Sequence, residues 1–324
     1  MRKVTAVLVV VMVGMLLFLA GCGGGGGLTC TNARYLVFTS DPVGGPGGHD
    51  VCLYNLNTSS LVSLPGLNSS ADDFPSSISS DGRYIAFSSN RAGGLGGSDI
   101  YLYDRNTSAL LPLPGINSSS DDFTPNISRN GRYIVFVSSR TGGVGERDVY
   151  LYDRNTSSLV NLPGLNSSTY DGAPSISGDG EYIAFESSRG GTLDDCHIYL
   201  YDRNTSSLVD VPYLNSTAYD SNPAISSDGQ YISFESDRAG GSGATDVYMY
   251  DRNINVLLSL AGLNSTTSDV RPSLSDDARY VAFESARTGG AGGSDIYLYD
   301  RNTDSLVSLP GLNSAATEQY PRLS

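Results

Sequence analysis

Apolar residues along 74–122 fall into four short runs, none with the three- or four-residue spacing of a helix. "SSIS" (76–79) predicts a short first strand, and Asp81-Gly82 a tight hairpin turn in which glycine accepts positive φ. "RYIAFSS" (83–89) predicts a second strand, "NRAGGLGGS" (90–98) a glycine-rich connection and "DIYLYDR" (99–105) a third strand. Asn106-Thr107-Ser108 reads as another turn, "LLPLPG" (110–115) as a fourth strand and "INSSSDD" (116–122) as a polar loop. In the third strand Ile100 and Leu102 point to one face, Tyr101 and Tyr103 to the other. Both faces are apolar or aromatic, so both need cover. A sheet with one wet face would alternate apolar with polar residues.

The unit repeats with a period of 49 residues. "RYLVFTS" at 34, "RYIAFSS" at 83, "RYIVFVS" at 132, "EYIAFES" at 181, "QYISFES" at 230 and "RYVAFES" at 279 mark six copies. Tyr54, Tyr103, Tyr152, Tyr201, Tyr250 and Tyr299 follow the same step. Six four-stranded sheets, each covered on both faces, predict an all-β, six-bladed propeller over residues 30–324. The ring should close in register. Ser324 has the repeat phase of Cys30, "QYPRLS" at the C-terminus matches a first strand, and "TNARYLVF" near the N-terminus matches the turn and second strand that follow one. The C-terminal strand is therefore expected to pair into the N-terminal blade. An open solenoid would need polar caps, which this pattern lacks.

Repeats such as "PSISGDGEYIAFESSR" followed by "HIYLYD" resemble TolB-type propeller repeats across six units. Prolyl-oligopeptidase and oligogalacturonate-lyase proteins use similar blades. The former need an appended hydrolase domain, for which this chain has no room. TolB proteins carry an extra N-terminal α/β domain with no counterpart here, so the resemblance implies the fold rather than the Tol system.

The first 22 residues read as an address. Arg2 and Lys3 precede an apolar run from Val4 to Ala20, shorter than the roughly 20 residues that span a bilayer comfortably. Leu19-Ala20-Gly21-Cys22 resembles a bacterial lipoprotein box, implying that 1–21 is a signal peptide and that Cys22 is lipidated; an uncleaved membrane anchor is the alternative. Residues 22–29, with Gly23 to Gly27, form a tether. The expected location is the bacterial cell envelope, outside the cytoplasmic membrane, and the outer membrane if the host has two. Cys30, Cys52 and Cys196 remain; Cys30 and Cys52 are nearest in sequence, and three thiols leave one unpaired.

Charge removes some partners. Over residues 22–324, 18 Arg face 34 Asp and Glu with no Lys, a net charge of −16. Such a surface repels nucleic acid and anionic headgroups, and membrane contact is expected only through the lipid. Cations that are all arginine suggest planar, bidentate pairing with carboxylates. The many "NTS" and "NSS" sequons read as turns.

Candidate sites follow from the phase of the repeat. Asp73, Asp122, Asp171, Asp220, Asp269 and Glu318 stand before the first strands, which line a propeller's channel, and should ring one mouth. They can hold a cation, dock a basic partner, or pair with Arg91, Arg140, Arg189, Arg238 and Arg287 in the glycine-rich connections; Pro42 takes the sixth arginine position. Asp99 and its copies Asp50, Asp148, Asp246 and Asp295 are expected to bond loop amides or a neighbouring hydroxyl rather than a ligand, with His197 at that phase in the fourth unit. A site for an asymmetric partner should sit where the repeat breaks, at 41–52 with His49, at 190–199 with Asp194, Asp195 and His197, and at Tyr170 and Tyr219, which replace Asp121. His49 and His197 fall in units that face each other across a six-unit ring. The sequence contains no nucleophile elbow, zinc-type His/Cys cluster or EF-hand loop.

These features predict a monomeric, non-catalytic scaffold that binds an envelope protein or peptide without a cofactor. A carbohydrate-binding protein or polysaccharide lyase is one alternative, although Trp is absent and loop tyrosines are few. Cation binding by the acidic ring is the other.

Overall fold

The computed structural model describes residues 34–41, 46–190 and 196–324. Cys22, the tether, Cys30, Pro42, Asp194 and Asp195 lie outside the described residues.

Six four-stranded antiparallel sheets form the blades of a propeller. Blade 1 contains β1 (Tyr35–Ser40), β2 (Asp50–Asn55) and β3 (Ser60–Val62). Blade 2 is β4 (Asp73–Ile78), β5 (Tyr84–Ser89), β6 (Asp99–Asp104) and β7 (Ala109–Leu111). Blade 3 is β8 (Asp122–Ile127), β9 (Tyr133–Ser138), β10 (Asp148–Asp153) and β11 (Ser158–Val160). Blade 4 is β12 (Asp171–Ile176), β13 (Tyr182–Ser187), β14 (His197–Asp202) and β15 (Ser207–Val209). Blade 5 is β16 (Asp220–Ile225), β17 (Tyr231–Ser236), β18 (Asp246–Asp251) and β19 (Val256–Leu257). Blade 6 is β20 (Asp269–Leu274), β21 (Tyr280–Ser285), β22 (Asp295–Asp300) and β23 (Ser305–Val307). The last strand, β24 (Glu318–Leu323), pairs antiparallel with β1 and completes blade 1 in the order β24-β1-β2-β3.

Two strand boundaries differ from the sequence reading. The innermost strand of blade 2 begins at Asp73, three residues before "SSIS", so the repeated acid is its first residue and not part of the preceding loop. The outermost strand stops at Leu111. The outermost strands of blades 1, 3, 4 and 6 end at the same phase, at Val62, Val160, Val209 and Val307, with Ser63, Asn161, Asp210 and Ser308 where blade 2 has Pro112, so the short pairing is a property of the repeat.

The core is six wedges, each between adjacent blades. Ile100 and Leu102 of β6 pack with Ile116, Ile127, Ile134 and Phe136 toward blade 3. Tyr103 of the same strand packs with Val37, Leu53 and Leu67 toward blade 1. Each blade thus buries one face on each neighbour, as the two-faced pattern requires. Tyr103 also donates its hydroxyl hydrogen to the Pro65 carbonyl (2.8 Å) in the segment entering the blade, and Tyr54, Tyr152, Tyr201, Tyr250 and Tyr299 repeat the bond at 2.8–3.1 Å. The wedge between blades 6 and 1 joins Leu36, Phe38 and Leu323 to Tyr280, Ile296 and Leu298.

Deleting residues 318–324 would remove an innermost strand and leave β1 and the faces of blades 6 and 2 uncovered. Burial of one leucine alone is worth about 1.5–3 kcal/mol. The truncated chain is expected to lose its cooperative thermal transition by circular dichroism, whereas an open-ended stack would keep one.

Candidate functional site

The two ends of the ring differ. Tight turns such as Asp81-Gly82 lie at one end, hereafter the turn end. The glycine-rich connections lie at the other, the connection end, where the repeated acids begin the innermost strands.

At the connection end five blades contain the same arginine clamp. Asp73, fully buried, accepts from the Ser69 amide (2.6 Å) and hydroxyl (3.1 Å) through one oxygen and from Arg91 Nη2 (2.6 Å) through the other. Arg91 also donates through Nε to Ser89 and through Nη2 to the Leu67 carbonyl. Its guanidinium lies 4.9 Å from the Phe87 ring centre and 4.8 Å from that of Tyr101. Pairs Asp122–Arg140, Asp171–Arg189, Asp220–Arg238 and Asp269–Arg287 repeat this at 2.6–2.8 Å, and all four aspartates are fully buried. These five carboxylates are built into the blades, not presented as an open ring of charge. A planar fork can hold an acid, a serine and a carbonyl while lying between two rings, which accounts for arginine at these five positions.

Blade 1 breaks the clamp. Cys52 takes the tyrosine position, Pro42 the arginine position, and the acid is the longer Glu318. Glu318 accepts from the Ser314 hydroxyl (2.6 Å) and amide (3.3 Å) and from Ser40 (3.4 Å). With no cation paired to it among the described residues, burial holds its carboxyl above the usual glutamate range. Burial, with the charges of Asp50 and Glu318, pushes the free Cys52 thiol up to about 12.

Other breaks gather around the mouth at this end in blades 4, 5 and 6. Glu186, Glu235 and Glu284 occupy a second-strand position held by Thr39, Ser88 and Val137 elsewhere. Glu186 accepts from Tyr170 Oη (2.7 Å) and the Asn222 amide (2.9 Å). Burial raises its pKa, against the pull of these two bonds. Glu235 accepts from the Arg271 amide (2.6 Å), Asn222 Nδ2 (2.8 Å) and Ser221 (3.0 Å). Glu284 pairs with Arg271 Nη1 (2.6 Å) and accepts from Ser294 (2.9 Å) and Gln319 (3.2 Å). The amides of Asn222 and Arg271 reach these acids because both residues have positive φ at bulges in the innermost strands. The sequence signal was an acid at an otherwise small or apolar position in three consecutive repeats; its capture of the next blade's bulge amide could not be read from the repeat.

The tyrosines and histidines fall into separate sectors. Tyr170 is half-buried on Glu186, and Tyr219 is 40% exposed. Cys196 is buried nearby as a free thiol, raised to about 12 by burial and the Glu186 charge, while a hydrogen bond from Tyr219 pulls the other way. His197 Nδ1 is 3.7 Å from Asp220. His49 is in blade 1, with Nδ1 2.5 Å from Asp41 and its ring 4.8 Å from Phe74. Blades 1 and 4 are opposite, so the structure does not bring the two histidines together. Among the described residues no three His, Cys, Asp or Glu side chains are grouped to hold a metal. Asp99, Asp148, Asp246 and Asp295 accept from the amides of Gly96, Gly145, Gly243 and Gly292.

The channel is closed at the turn end. Arg129 of blade 3 reaches across to pair with Asp276 of the opposite blade 6 (2.5 Å) and donates to the Leu323 (3.3 Å) and Leu274 (2.9 Å) carbonyls. Ser80 also donates to Asp276. Gly178 lies beneath this strut; a Cβ there would stand 3.0 Å from Arg129 Cγ and still closer to Ser227.

A single ring of four-stranded blades, closed by its terminal strands and with a channel open toward the glycine-rich connections, defines a six-bladed β-propeller. Its fold is TolB-like. TolB from Acinetobacter baumannii superposes with a TM-score of 0.64 at 20% identity, over 90% of this chain and 66% of that one. A putative TolB from Agrobacterium tumefaciens gives 0.58 at 17%, over 90% and 99%. An oligogalacturonate lyase from Vibrio parahaemolyticus gives 0.55 at 14%, over 85% and 73%. No protein-family model and no curated protein matches the sequence.

The raised pKa of Glu318 has a thermodynamic sign. The folded state binds this proton more tightly than the unfolded state, so the group favours folding at low pH and loses that contribution as pH rises through the folded value. Glu318→Gln is expected to raise the melting temperature at pH 7, with the gain vanishing near pH 4. A gain equal at both pH values would count against a buried, uncompensated carboxylate.

Proposed function

We propose that this chain is a lipid-anchored, extracytoplasmic, non-catalytic scaffold whose connection-end mouth binds another protein or peptide of the bacterial cell envelope. The observation that carries this reading is the clustering of departures from six-fold symmetry. The turns, clamps and tyrosine bonds repeat around the ring and serve stability. By contrast, Tyr170, Tyr219, Glu186, Glu235, Glu284 and Arg271 are particular to blades 4 to 6, and all face one mouth. A fixed ring with adaptable loops at one end suits recognition.

The TolB-like fold agrees with an interaction role. The separation of His49 from His197, and the commitment of the five clamp aspartates to arginine, favour binding over catalysis.

Affinity capture from native envelope, with the whole chain as bait, tests the reading. A partner is expected to be retained and to fall at least tenfold with Tyr219→Ala, while Leu110→Ala on the outer edge leaves capture unchanged. Cleavage of polygalacturonate by the chain, with no partner retained, would overturn it.

A further inference from the structure

One arginine of the channel departs from the pattern of its position in the repeat. Position 77 and its equivalents line the lumen on the innermost strands: Ser77, Asn126, Ser175, Ala224, Ser273 and Arg322. In four of the six blades this residue stitches its blade to the next. Ser77 accepts from the Ile127 amide (3.0 Å), Asn126 from Ile176 (3.2 Å), Ser175 from Ile225 (3.1 Å) and Ser273 from Leu323 (3.0 Å). An arginine has no acceptor and cannot make this bond. Arg322 instead donates Nε to the Ser76 carbonyl (3.1 Å) and Nη1 to the Pro321 carbonyl (2.9 Å). Among the described residues, Nη2 has no hydrogen-bond partner and no carboxylate lies within ion-pair distance of the guanidinium.

The surroundings sharpen the anomaly in a protein otherwise rich in acid. The channel cavity, of about 100 Å³, is lined by Arg322 and Arg129 and by no Asp or Glu. Arg129 is already neutralised by Asp276 at the closed end. The nearest acids toward the mouth are committed elsewhere, Glu284 to the Arg271 guanidinium and Glu235 to the Arg271 and Asn222 donors. Burial first, and then Arg271, pull Arg322 down to about 10, so it remains a cation at neutral pH. The side chain is partly buried, and Glu235 and Glu284 favour its charge from a distance without pairing with it, so a ligand carboxylate would be its first direct counter-charge. The cavity far exceeds the ~10–15 Å³ needed by one water. Asn126 turns its Oδ1 to the Ile176 amide, and its Nδ2 has no partner among the described residues. Pro174, Pro223, Pro272 and Tyr320 supply apolar walls.

We infer that the channel is a binding site for a carboxylate, which enters from the connection end and is held by the free edge of the Arg322 guanidinium. The planar fork of arginine matches a carboxylate, and the proline and tyrosine walls suit a short carbon chain attached to it. The source is either a small organic acid or the C-terminal carboxylate of a polypeptide. This inference does not depend on the scaffold reading, because neither source requires a protein docked across the mouth.

Titration calorimetry on the whole chain tests it with malonate, with malonamide as the uncharged control, and with a tripeptide bearing either a free or an amidated C-terminus. Saturable one-to-one binding of malonate or of the free-acid peptide is expected, with no response to the neutral counterpart. Whichever acid binds identifies the source. Thermal melts should show a rise of roughly 2–4 °C once the free acid reaches about ten times its Kd, growing with the logarithm of its concentration beyond that. Arg322→Ser introduces the residue found at this position in blades 2, 4 and 6 and supplies an acceptor for the Ile78 amide, so it should fold at least as stably. It should bind the acid at least tenfold more weakly. Failure of both acids to bind the wild-type chain would overturn the inference, as would equal binding by Arg322→Ser or an equal response to chloride at the same concentration.

Discussion

Each blade has two apolar faces and only neighbouring blades to cover them. That constraint governs the rest of the structure. In β6, Ile100 and Leu102 belong to one wedge of core and Tyr103 to the next, so no blade completes its core alone. A linear stack would leave two faces exposed, and closure removes both at once. The terminal strand β24 therefore has a role disproportionate to its six residues, because it converts the last face and the first into one more wedge.

The arginine clamps solve a second problem created by closure. The innermost strands bring five aspartates into a crowded end of the ring, where like charges would repel. Giving each a partly buried arginine from its own blade removes the repulsion locally, and the flanking aromatic rings hold the guanidinium in place. Symmetry in this protein is thus the mark of structure. The residues that escape it are Glu318 without its arginine, the three glutamates beside the mouth, which take their partners from neighbouring blades and loops, and Arg322 in the channel.

Much of the fold was legible because the repeat is strict. A phase of 49 carried the blade number, the closure and the Asp–Arg pairing possibility, since equivalent residues must occupy equivalent places. Strand ends were less legible. The innermost strand begins at Asp73 because its pairing with Ser89 extends past the apolar run, and the outer strand ends at Leu111, the phase at which it also ends in blades 1, 3, 4 and 6. The candidate site was only half legible. Tyr170 and Tyr219 stood out as replacements, but Glu186 lay inside a motif that looked like ordinary strand, and its importance comes from the amide of Asn222 in the next blade.

The sequence by itself determined the architecture: two-faced strands, six copies and matching terminal phases leave a closed propeller as the arrangement that buries every face. It also showed where the copies differ. Only the tertiary structure decided which differences meet. Arg129 and Asp276 lie three repeats apart and face each other because opposite blades of a six-fold ring share an axis. Arg322 is left facing the lumen without an acid because the nearby glutamates are held by Arg271 and by backbone amides at strand bulges. Such pairings depend on distances across the ring, and a repeat period fixes position along the chain but not across it.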